Sequence, residues 1–450
     1  MISLYGRHPN PDKDDSQGDA RMSIQSVLSL PTPVSMAGRL DTRFAAHGKA
    51  QVYFADSLSS MTNGIAIDSS GRLLVAAKVG MAHGSRFGLA RLLEDGSADL
   101  GFGEQGSVIG QFEPGFDAMA GKVQVLADGR LLVVGLHYEN AHRSLPALAM
   151  FDAHGHPVQD FGDNGHCVVR LPGNLSHGVR DAWLPPGVPG AEVCDVNVQE
   201  DGRILLVANH HFELADYAGI LIRLQSNGAL DNSFNGRGFV IVRHLLMNTW
   251  LSTLKLQADG RIIVAGSVNF PEEGLLARYH TDGGLDESFA VDGFMSFKTQ
   301  DRSAQVSQIV QHHNGAIHCF GSSRDPMHCL ALKVHCNGRP DIHCNGGLPQ
   351  LLEIGACGCQ WTAAHLNPDG SVLTAGATIG GIEADFIVAR YKPDGQLDPH
   401  FGDRTGWVRT RLGRSLDSAT SIAVQDDGNI VVGGYSLDGN YRAVVARYLA

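Results

Sequence analysis

Three features are scarce in this sequence of 450 residues: long apolar runs, charged side chains and evenly spread cysteines. No run approaches the roughly 18 consecutive apolar residues that a membrane-spanning helix needs. Residues 7–21 are too polar to form the apolar part of a signal peptide, and their composition is typical of a disordered tail. The sequence therefore predicts neither a membrane span nor a cleaved signal.

Charged residues make up only 18 % of the chain, and the acidic ones dominate. Lys and Arg number 35 against 47 for Asp and Glu, which gives a formal net charge of −12. An acidic chain without a basic run is a poor partner for nucleic acid or for an anionic membrane surface. We therefore expect neither of these partners.

The eight cysteines do not form the framework of a disulfide-rich domain, because six of them fall between Cys319 and Cys359. This spacing predicts free thiols and a reducing compartment, the cytoplasm. Export by a route that uses no cleaved signal is the alternative. The 55 glycines and 43 % hydrophobic residues are typical of a soluble all-β protein with many tight turns.

Three landmarks recur along the chain. The first is a two-residue turn that ends in glycine and precedes an apolar run, which is a strong hairpin signal. Its glycines are Gly71, Gly129, Gly202, Gly260, Gly315, Gly370 and Gly428. The second is an apolar stretch that ends in a basic residue, with positions Arg91, Met150, Arg223, Arg278, Lys333, Arg390 and Arg447. The third is a Leu-Asp-x-x-Phe loop, with positions Asp41, Asp99, Val158, Asp231, Asp286, Asp341 and Asp398.

Each repeat of about 55 to 60 residues holds four strand signals, and seven such repeats predict a seven-bladed β-propeller of four-stranded antiparallel blades. Residues 1–36 are predicted to be a polar N-terminal tail, partly disordered or packed on the ring. The repeats are 37–96, 97–155, 156–228, 229–283, 284–338, 339–395 and 396–450.

The basic and acidic landmarks are coupled within this one sequence. In five repeats the cation precedes the acid by eight residues, as in Arg91 and Asp99, and the repeat with Met150 loses the acid as well. We therefore predict ion pairs that fix the exit of each outer strand against the crossover into the next blade. Asp41 and Arg447 are left over, and we expect them to pair and to join the first and last blades.

These motifs resemble the bacterial delta-60 repeat family. The resemblance covers residues 37–450 and is clearest in Leu230–Asn235, Gln257–Gly266 and Ala389–Gly395. It implies a propeller-like β fold and no established activity. The repeat that begins at Arg339 departs furthest from the family pattern.

One face of the predicted propeller repeats itself, and the other varies between blades. Variable loops are where a binding surface is expected. The largest departure is an insertion at Pro172–Glu192, which we predict to bind a protein or other ligand through Arg180, Asp181, Trp183 and Leu184. The alternative is that Trp183 only packs its own loop onto the ring.

Histidines of two adjacent blades fall on the same variable face: His137, His142, His210 and His211. They could bind a divalent metal and so support metal-assisted catalysis. Chance clustering is the alternative, since the chain has 21 histidines.

The sequence also holds five His-Cys pairs. Neighbouring residues of a strand point to opposite faces, so one pair cannot readily bind one ion. Cys319 and Cys344 align with Val264 and Phe289 of the preceding repeat and are interpreted as core residues. Of the other cysteines, only Cys336, Cys357 and Cys359 are expected to be exposed, and a thiol metal site is left open among these three.

The sequence thus supports three hypotheses. The first is a monomeric cytoplasmic propeller that acts as a binding scaffold through its variable face. The second is a metal-assisted lyase or hydrolase with its site on that face. The third is an effector exported without a cleaved signal. No catalytic signature decides between them, and no cofactor is predicted beyond the candidate divalent metal.

Overall fold

The computed structural model describes residues 36–140, 143–172, 195–213, 216–245, 247–269, 272–299, 302–324, 327–354, 358–379 and 384–450. All of them belong to the larger of the two units into which the chain divides, Ser35–Ala450. The predicted tail, His142 and the insertion residues Arg180, Asp181, Trp183 and Leu184 lie outside the described residues.

The described residues form 28 β-strands and a short 3-10 helix at Asn345–Gly347. None of their helices is long and apolar enough to cross a membrane. The strands are β1 (Lys49–Gln51), β2 (Ser59–Ile67), β3 (Leu73–Gly80), β4 (Ser85–Leu92), β5 (Ser107–Gly110), β6 (Asp117–Val125), β7 (Leu131–Asn140), β8 (Arg143–Phe151), β9 (His166–Val168), β10 (Asp195–Val198), β11 (Ile204–Glu213), β12 (Asp216–Leu224), β13 (Phe239–Val242), β14 (Thr249–Leu256), β15 (Ile262–Val268), β16 (Glu273–Tyr279), β17 (Phe294–Phe297), β18 (Ala304–Gln311), β19 (Ile317–Ser323), β20 (Cys329–Val334), β21 (Gln350–Leu352), β22 (Cys359–Leu366), β23 (Val372–Thr378), β24 (Phe386–Tyr391), β25 (Trp407–Thr410), β26 (Leu416–Val424), β27 (Ile430–Asp438) and β28 (Asn440–Tyr448).

These strands build seven four-stranded antiparallel sheets, so the predicted seven-bladed propeller is confirmed. Blade 1 is β2 to β5, blade 2 is β6 to β9, and blades 3 to 6 continue in the same way through β25. Blade 7 has the order β1-β28-β27-β26. Its outermost strand is therefore β1, the first of the described strands.

The sequence repeat is offset from the blade by one strand. The strand after the Leu-Asp-x-x-Phe loop pairs back with the strand before it, as Ala90 pairs with Ser107 across β4 and β5. The predicted role of this loop as a crossover into the next blade is therefore wrong: it is a hairpin within one blade. For the same reason the ion pair of Asp41 and Arg447 lies within blade 7. The contact of Arg447 with blade 1 is a separate hydrogen bond, from Nη1 to the Glu94 carbonyl at 2.8 Å.

The two ends of the blades differ in the loops that they carry. In blade 1 the Gly71 turn and the Asp99 loop lie at one end, whereas the β3–β4 hairpin and the crossover from β5 to β6 lie at the other. We call the first end the turn face and the second the crossover face. The repeated landmarks thus share the turn face, and the loops that vary share the crossover face.

The hydrophobic core lies between neighbouring blades. Leu132 of blade 2 and Leu206 of blade 3 belong to one buried cluster, as do Leu205 of blade 3 and Ile262 of blade 4. Residues on both faces of the second and third strands are buried, which explains their nearly continuous apolar runs.

Six of the seven innermost strands have a β-bulge in the described structure. The register shifts by one residue in β2, β6, β14, β18, β22 and β26. Bulged residues bond to the next blade: Asn63 Nδ2 donates to the Ala120 carbonyl at 2.7 Å, and Thr420 Oγ1 donates to the Thr62 carbonyl at 2.7 Å. The second bond connects blade 7 to blade 1, so the bulges help to hold the ring together.

Candidate functional site

The turn face carries the ion pairs that relate the repeats. Arg91, Arg223, Arg278 and Arg390 each place Nε 2.7 Å from the partner carboxylate, Lys333 lies 3.4 Å from its carboxylate, and Arg447 Nη2 lies 2.8 Å from Asp41 Oδ2. The acids of these pairs are Asp99, Asp231, Asp286, Asp398, Asp341 and Asp41. Buried carboxylates held in this way fix the loops of the turn face.

Each arginine of this set also contacts the phenylalanine of its loop. The Arg91 guanidinium lies 4.5 Å from the centre of the Phe102 ring, and Arg278 lies 4.7 Å from that of Phe289. Arg278 further donates to the Cys336 carbonyl of blade 5 at 2.6 Å. The guanidinium groups thus join one blade to the next, and the turn face is structural.

The crossover face carries a cleft of about 560 Å³ between blades 1 and 2. One wall comes from β3 and the β3–β4 hairpin of blade 1, and the other comes from the start of β6 and the end of β7 in blade 2. The lining residues are Lys78, Gly84, Ser85, Gly115, Phe116, Asp117, Tyr138, Glu139 and Asn140. A cleft of this volume suits a small molecule or a single extended segment.

Polar groups of both kinds line this cleft. The Asp117 carboxylate accepts a hydrogen bond from the Ser85 amide at 2.9 Å and lies 3.8 Å from Arg86 Nη1. The Lys78 ammonium lies 5.5 Å from the centre of the Tyr138 ring. The cleft therefore offers a cation and a carboxylate at its surface, in fixed positions.

A second layer lies behind the cleft. Arg170 binds both carboxylate oxygens of Glu113, at 2.6 and 2.9 Å, and lies 3.6 Å from Glu139. His137 Nε2 lies 3.6 Å from Glu113 Oε2, an oxygen that Arg170 also binds. The Phe116 ring covers the imidazole, with 4.8 Å between the ring centroids. Hydrogen bonds from Arg170 lower the pKa of Glu113, so that its carboxyl group is ionised near neutrality.

The His137 side chain is fully buried in this layer. Burial lowers the pKa of its imidazole, against the opposing effect of the Glu113 carboxylate. Neither ring nitrogen has a hydrogen-bond partner in the described part of the chain. His137 is therefore a neutral imidazole between a carboxylate and a guanidinium, and it could act as a base only where Phe116 is displaced.

The predicted metal residues are placed as follows. His137 on β7 and His210 on β11 are both buried and occupy equivalent strand positions of blades 2 and 3. His142 and the side chain of His211 lie outside the described structure. Within the described ranges, no three His, Cys, Asp or Glu side chains converge as a metal site. Divalent metal binding by these histidines stays a prediction.

The cysteines left open as thiol ligands do not share one environment. Cys336 is exposed, Cys359 is buried, and Cys357 lies outside the described residues. The expectation that Cys359 could be exposed is wrong, because its thiol packs between blades 5 and 6, where it donates to the Leu352 carbonyl at 3.1 Å.

The sequence did not single out Lys78, Glu113, Phe116, Asp117 and Arg170. Glu113 and Arg170 are 57 residues apart, in crossovers of different blades. The one signal that could have located them is the failure of these crossover segments to align with the corresponding segments of other repeats.

The segments of the chain that match a known family coincide with its repeats. A family described as "Domain of unknown function (DUF5122) beta-propeller" matches residues 69–102, 199–234, 257–289, 367–401 and 425–450. The chain therefore contains propeller repeats of this kind, as the resemblance implied, whereas the delta-60 name itself stays a prediction. No protein of curated function matches the chain.

Solved structures match over most of the chain at low identity. A protein of unknown function from Dyadobacter fermentans is 10 % identical, with a TM-score of 0.47, over 89 % of this chain and 98 % of that one. Polysaccharide lyase Uly1 is 11 % identical, with a TM-score of 0.45, over 92 % and 97 %. The GH74 xyloglucanase from Xanthomonas campestris is 12 % identical, with a TM-score of 0.42, over 88 % and 55 %. At these identities and TM-scores the likenesses carry no argument about function.

Proposed function

We propose that this protein is a binding scaffold whose ligand occupies the cleft between blades 1 and 2 on the crossover face. What supports the proposal is the cleft itself, which combines a volume of about 560 Å³ with fixed polar groups and an aromatic ring. Sites for small ligands have this character: a concave wall with a few positioned donors and acceptors. The turn face, held by buried ion pairs, supplies the rigid support.

The ligand that fits this cleft best is a neutral chain rich in hydroxyl groups, such as an oligosaccharide. Lys78 and Asn140 supply hydrogen-bond donors, and Asp117 and Glu139 supply acceptors. The Phe116 side chain is 37 % exposed at the cleft and offers a flat apolar surface for a sugar ring. Charges of both signs lie close together, which disfavours a strongly charged ligand.

An array experiment tests the proposal. Labelled protein is applied to neutral oligosaccharides and to 12-residue peptides, immobilised at equal density. We expect retention on a subset of the oligosaccharides, at least a tenfold loss with Phe116→Ala, and no loss with Leu100→Ala, which truncates an exposed apolar residue of the turn face.

The outcomes separate the parts of the proposal. Retention on peptides alone would overturn the ligand chemistry but keep the scaffold. Retention unaffected by Phe116→Ala would overturn the cleft as the binding site. Near-ultraviolet circular dichroism of both variants establishes that the loss does not come from unfolding.

A second candidate function, an enzyme, is favoured by the layer behind the cleft. Glu113 lies 3.6 Å from His137 Nε2 and 2.6 Å from Arg170 Nη1, as a carboxylate that positions a base would. Elemental analysis of protein purified without an affinity tag tests the metal-assisted form of this function. Stoichiometric metal that is lost in both His137→Ala and His210→Ala would support it, and metal-free protein would oppose it.

Residence in the cytoplasm, the monomeric state and export without a signal stay predictions. Ligand capture does not depend on any of them.

A further inference from the structure

Blade 5 departs from the other six blades at two core positions. At the second residue of the second strand it carries His318, where the other blades carry an aliphatic residue: Leu74, Leu132, Leu205, Ile263, Leu373 and Val431. At the last position of the Leu-Asp-x-x-Phe loop it carries Cys344, where the others carry phenylalanine: Phe44, Phe102, Phe161, Phe234, Phe289 and Phe401.

These two positions pack together in every other blade. Leu74 and Phe102 share one buried cluster, and Ile263 and Phe289 share another. The same holds for the pairs of blades 2, 3, 6 and 7. The histidine of one His-Cys pair therefore meets the cysteine of another, although the two residues within a pair point apart.

A small cavity lies between the two side chains. Its volume is about 10 Å³, which holds one water molecule or one ion, and its lining includes His318, Cys344, Gln350 and Tyr391. A methyl group built on Gly395 would lie 2.4 Å from Cys344 Sγ and 3.6 Å from His318 Nε2. Both atoms thus face the same enclosed space.

His318 is oriented as a metal ligand would be. Its side chain is buried, and its Nδ1 lies 3.2 Å from His312 Nε2. When Nδ1–H donates to His312, the lone pair of His318 Nε2 points into the cavity. That Nε2 has no hydrogen-bond partner within the described structure. A second group that holds the non-ligating nitrogen is the usual arrangement around a metal-bound histidine.

The sulfur atom is also positioned. Gln350 Nε2 donates to Cys344 Sγ at 3.3 Å, which keeps the thiol turned towards the cavity. Lys333 and Asp341 of the same blade, 3.4 Å apart, form the ion pair that borders the site. Burial raises the pKa of the Cys344 thiol, whereas the Lys333 cation and the Gln350 amide act in the opposite direction and favour a thiolate.

We propose that His318 Nε2 and Cys344 Sγ form a two-coordinate site for Cu(I). Thiolate is a soft ligand that selects Cu(I), and imidazole also suits copper. Tetrahedral zinc needs more protein ligands, and in the described ranges no third His, Cys, Asp or Glu joins the pair. Cu(I) and one thiolate together carry no net charge, so the complex adds no net charge to this largely buried site. The proton of the thiol passes to the buffer on binding.

Anaerobic titration with Cu(I) buffered by bathocuproine disulfonate tests the site. We expect one equivalent to bind, and X-ray absorption to show a two-coordinate centre with one nitrogen and one sulfur ligand. His318→Leu and Cys344→Phe should each weaken Cu(I) binding at least a hundredfold. Both variants restore residues that the other blades carry, so both are expected to fold with an unchanged or higher Tm.

Cys336→Ser is the matched control, because this exposed thiol of the same blade should not contribute. Copper binding that survives His318→Leu and Cys344→Phe but is lost in Cys336→Ser would overturn the proposal. Failure of the wild-type protein to take up Cu(I), with the cavity occupied by water only, would overturn it as well. Tighter binding of Zn²⁺ than of Cu(I) would contradict the two-coordinate geometry.

Discussion

The closure of blade 7 by β1 yields the most direct test of how the ring is held. We consider Arg447→Ala, with Arg278→Ala of blade 4 as the matched control. The two arginines have closely similar surroundings: side-chain exposures of 8 % and 4 %, and a phenylalanine ring at 4.8 and 4.7 Å. They differ in sequence separation, since Arg447 and Asp41 are 406 residues apart whereas Arg278 and Asp286 are 8 apart.

The loss of stabilising free energy at the mutated ion pair should be the same in both variants. Removal of one partner of a buried ion pair costs about 3 to 5 kcal/mol. In each case a second arginine remains on the carboxylate, because Arg43 lies 2.9 Å from Asp41 and Arg261 lies 3.1 Å from Asp286. We therefore expect about 3 kcal/mol in each variant, the lower end of that range.

The two variants should differ in how far the destabilisation extends through the structure. β1 is paired with β28 over only three residues, so a loss of about 3 kcal/mol raises its opening equilibrium about a hundredfold. Opening of β1 breaks the backbone connection between blades 7 and 1. Opening of β17 leaves the ring intact.

Hydrogen exchange with mass spectrometry measures this difference. In Arg447→Ala we expect faster exchange in β1 and β28 that extends into β2, whereas in Arg278→Ala it should stay within β16 and β17. Equal patterns confined to one blade in both variants would refute the closure argument. So would unchanged exchange of β1 in Arg447→Ala.

Three further predictions concern single residues. Hydrogen bonds from Arg43, with help from Arg447, lower the pKa of Asp41 to about 2. The contribution of the Asp41 carboxylate to the free energy of unfolding should be complete above about pH 4 and be lost as the pH falls towards 2. In Asp41→Asn, the denaturant midpoint of unfolding should therefore fall less steeply with decreasing pH than in the wild-type protein. An equally steep fall in both proteins would contradict this. His137→Leu should raise the free energy of unfolding by about 1 to 2 kcal/mol, because it removes a buried imidazole that lacks hydrogen bonds; a decrease would show that His137 has a bound partner. Phe116→Ala should speed modification of His137 by diethyl pyrocarbonate at least tenfold, read by mass spectrometry against His210 as internal control, and an equal rate would show that Phe116 does not shield the ring.

The repeat made the fold predictable. The Gly turns occur seven times at a near-constant period, the basic strand ends and the Asp of the loops occur in six of the seven repeats, and a local pattern that recurs in this way admits few architectures. The offset by one strand was not predictable from the pattern, because a periodic sequence reads the same wherever a blade is taken to begin. Only the pairing of β4 with β5 decides it.

Blade 2 shows which structural feature is indicated by the joint occurrence of arginine and aspartate in the repeats. With Met150 and Val158 in place of the ion pair, the Val158 amide still donates to the Met150 carbonyl at 2.8 Å, as the Asp99 amide donates to the Arg91 carbonyl at 3.0 Å. The backbone of the loop is therefore the same with and without the charges. The coupling in sequence identifies a side-chain contact, whereas the loop itself is set by the backbone.

The cleft could not be predicted in the same way. Glu113 and Arg170 meet across two crossovers that have no equivalent in other blades, and Phe116 follows Gly115 in a segment that appears once. Contacts that occur only once produce no repeated pattern in the sequence. The same holds for His318 and Cys344, which are recognisable as partners only once the neighbouring blades show which core positions touch.

The pairing of β1 with β28 in blade 7 also affects how the chain can fold during translation. β1 is made before the other described strands, whereas its partner β28 is made after them. Until β28 has been made, β1 has an unpaired strand edge. Blades 1 to 6 can fold as they emerge, whereas the final blade waits for the rest of the chain. Among the described strands, the nascent protein should therefore rely most on chaperones at β1, and intermolecular strand exchange should begin there.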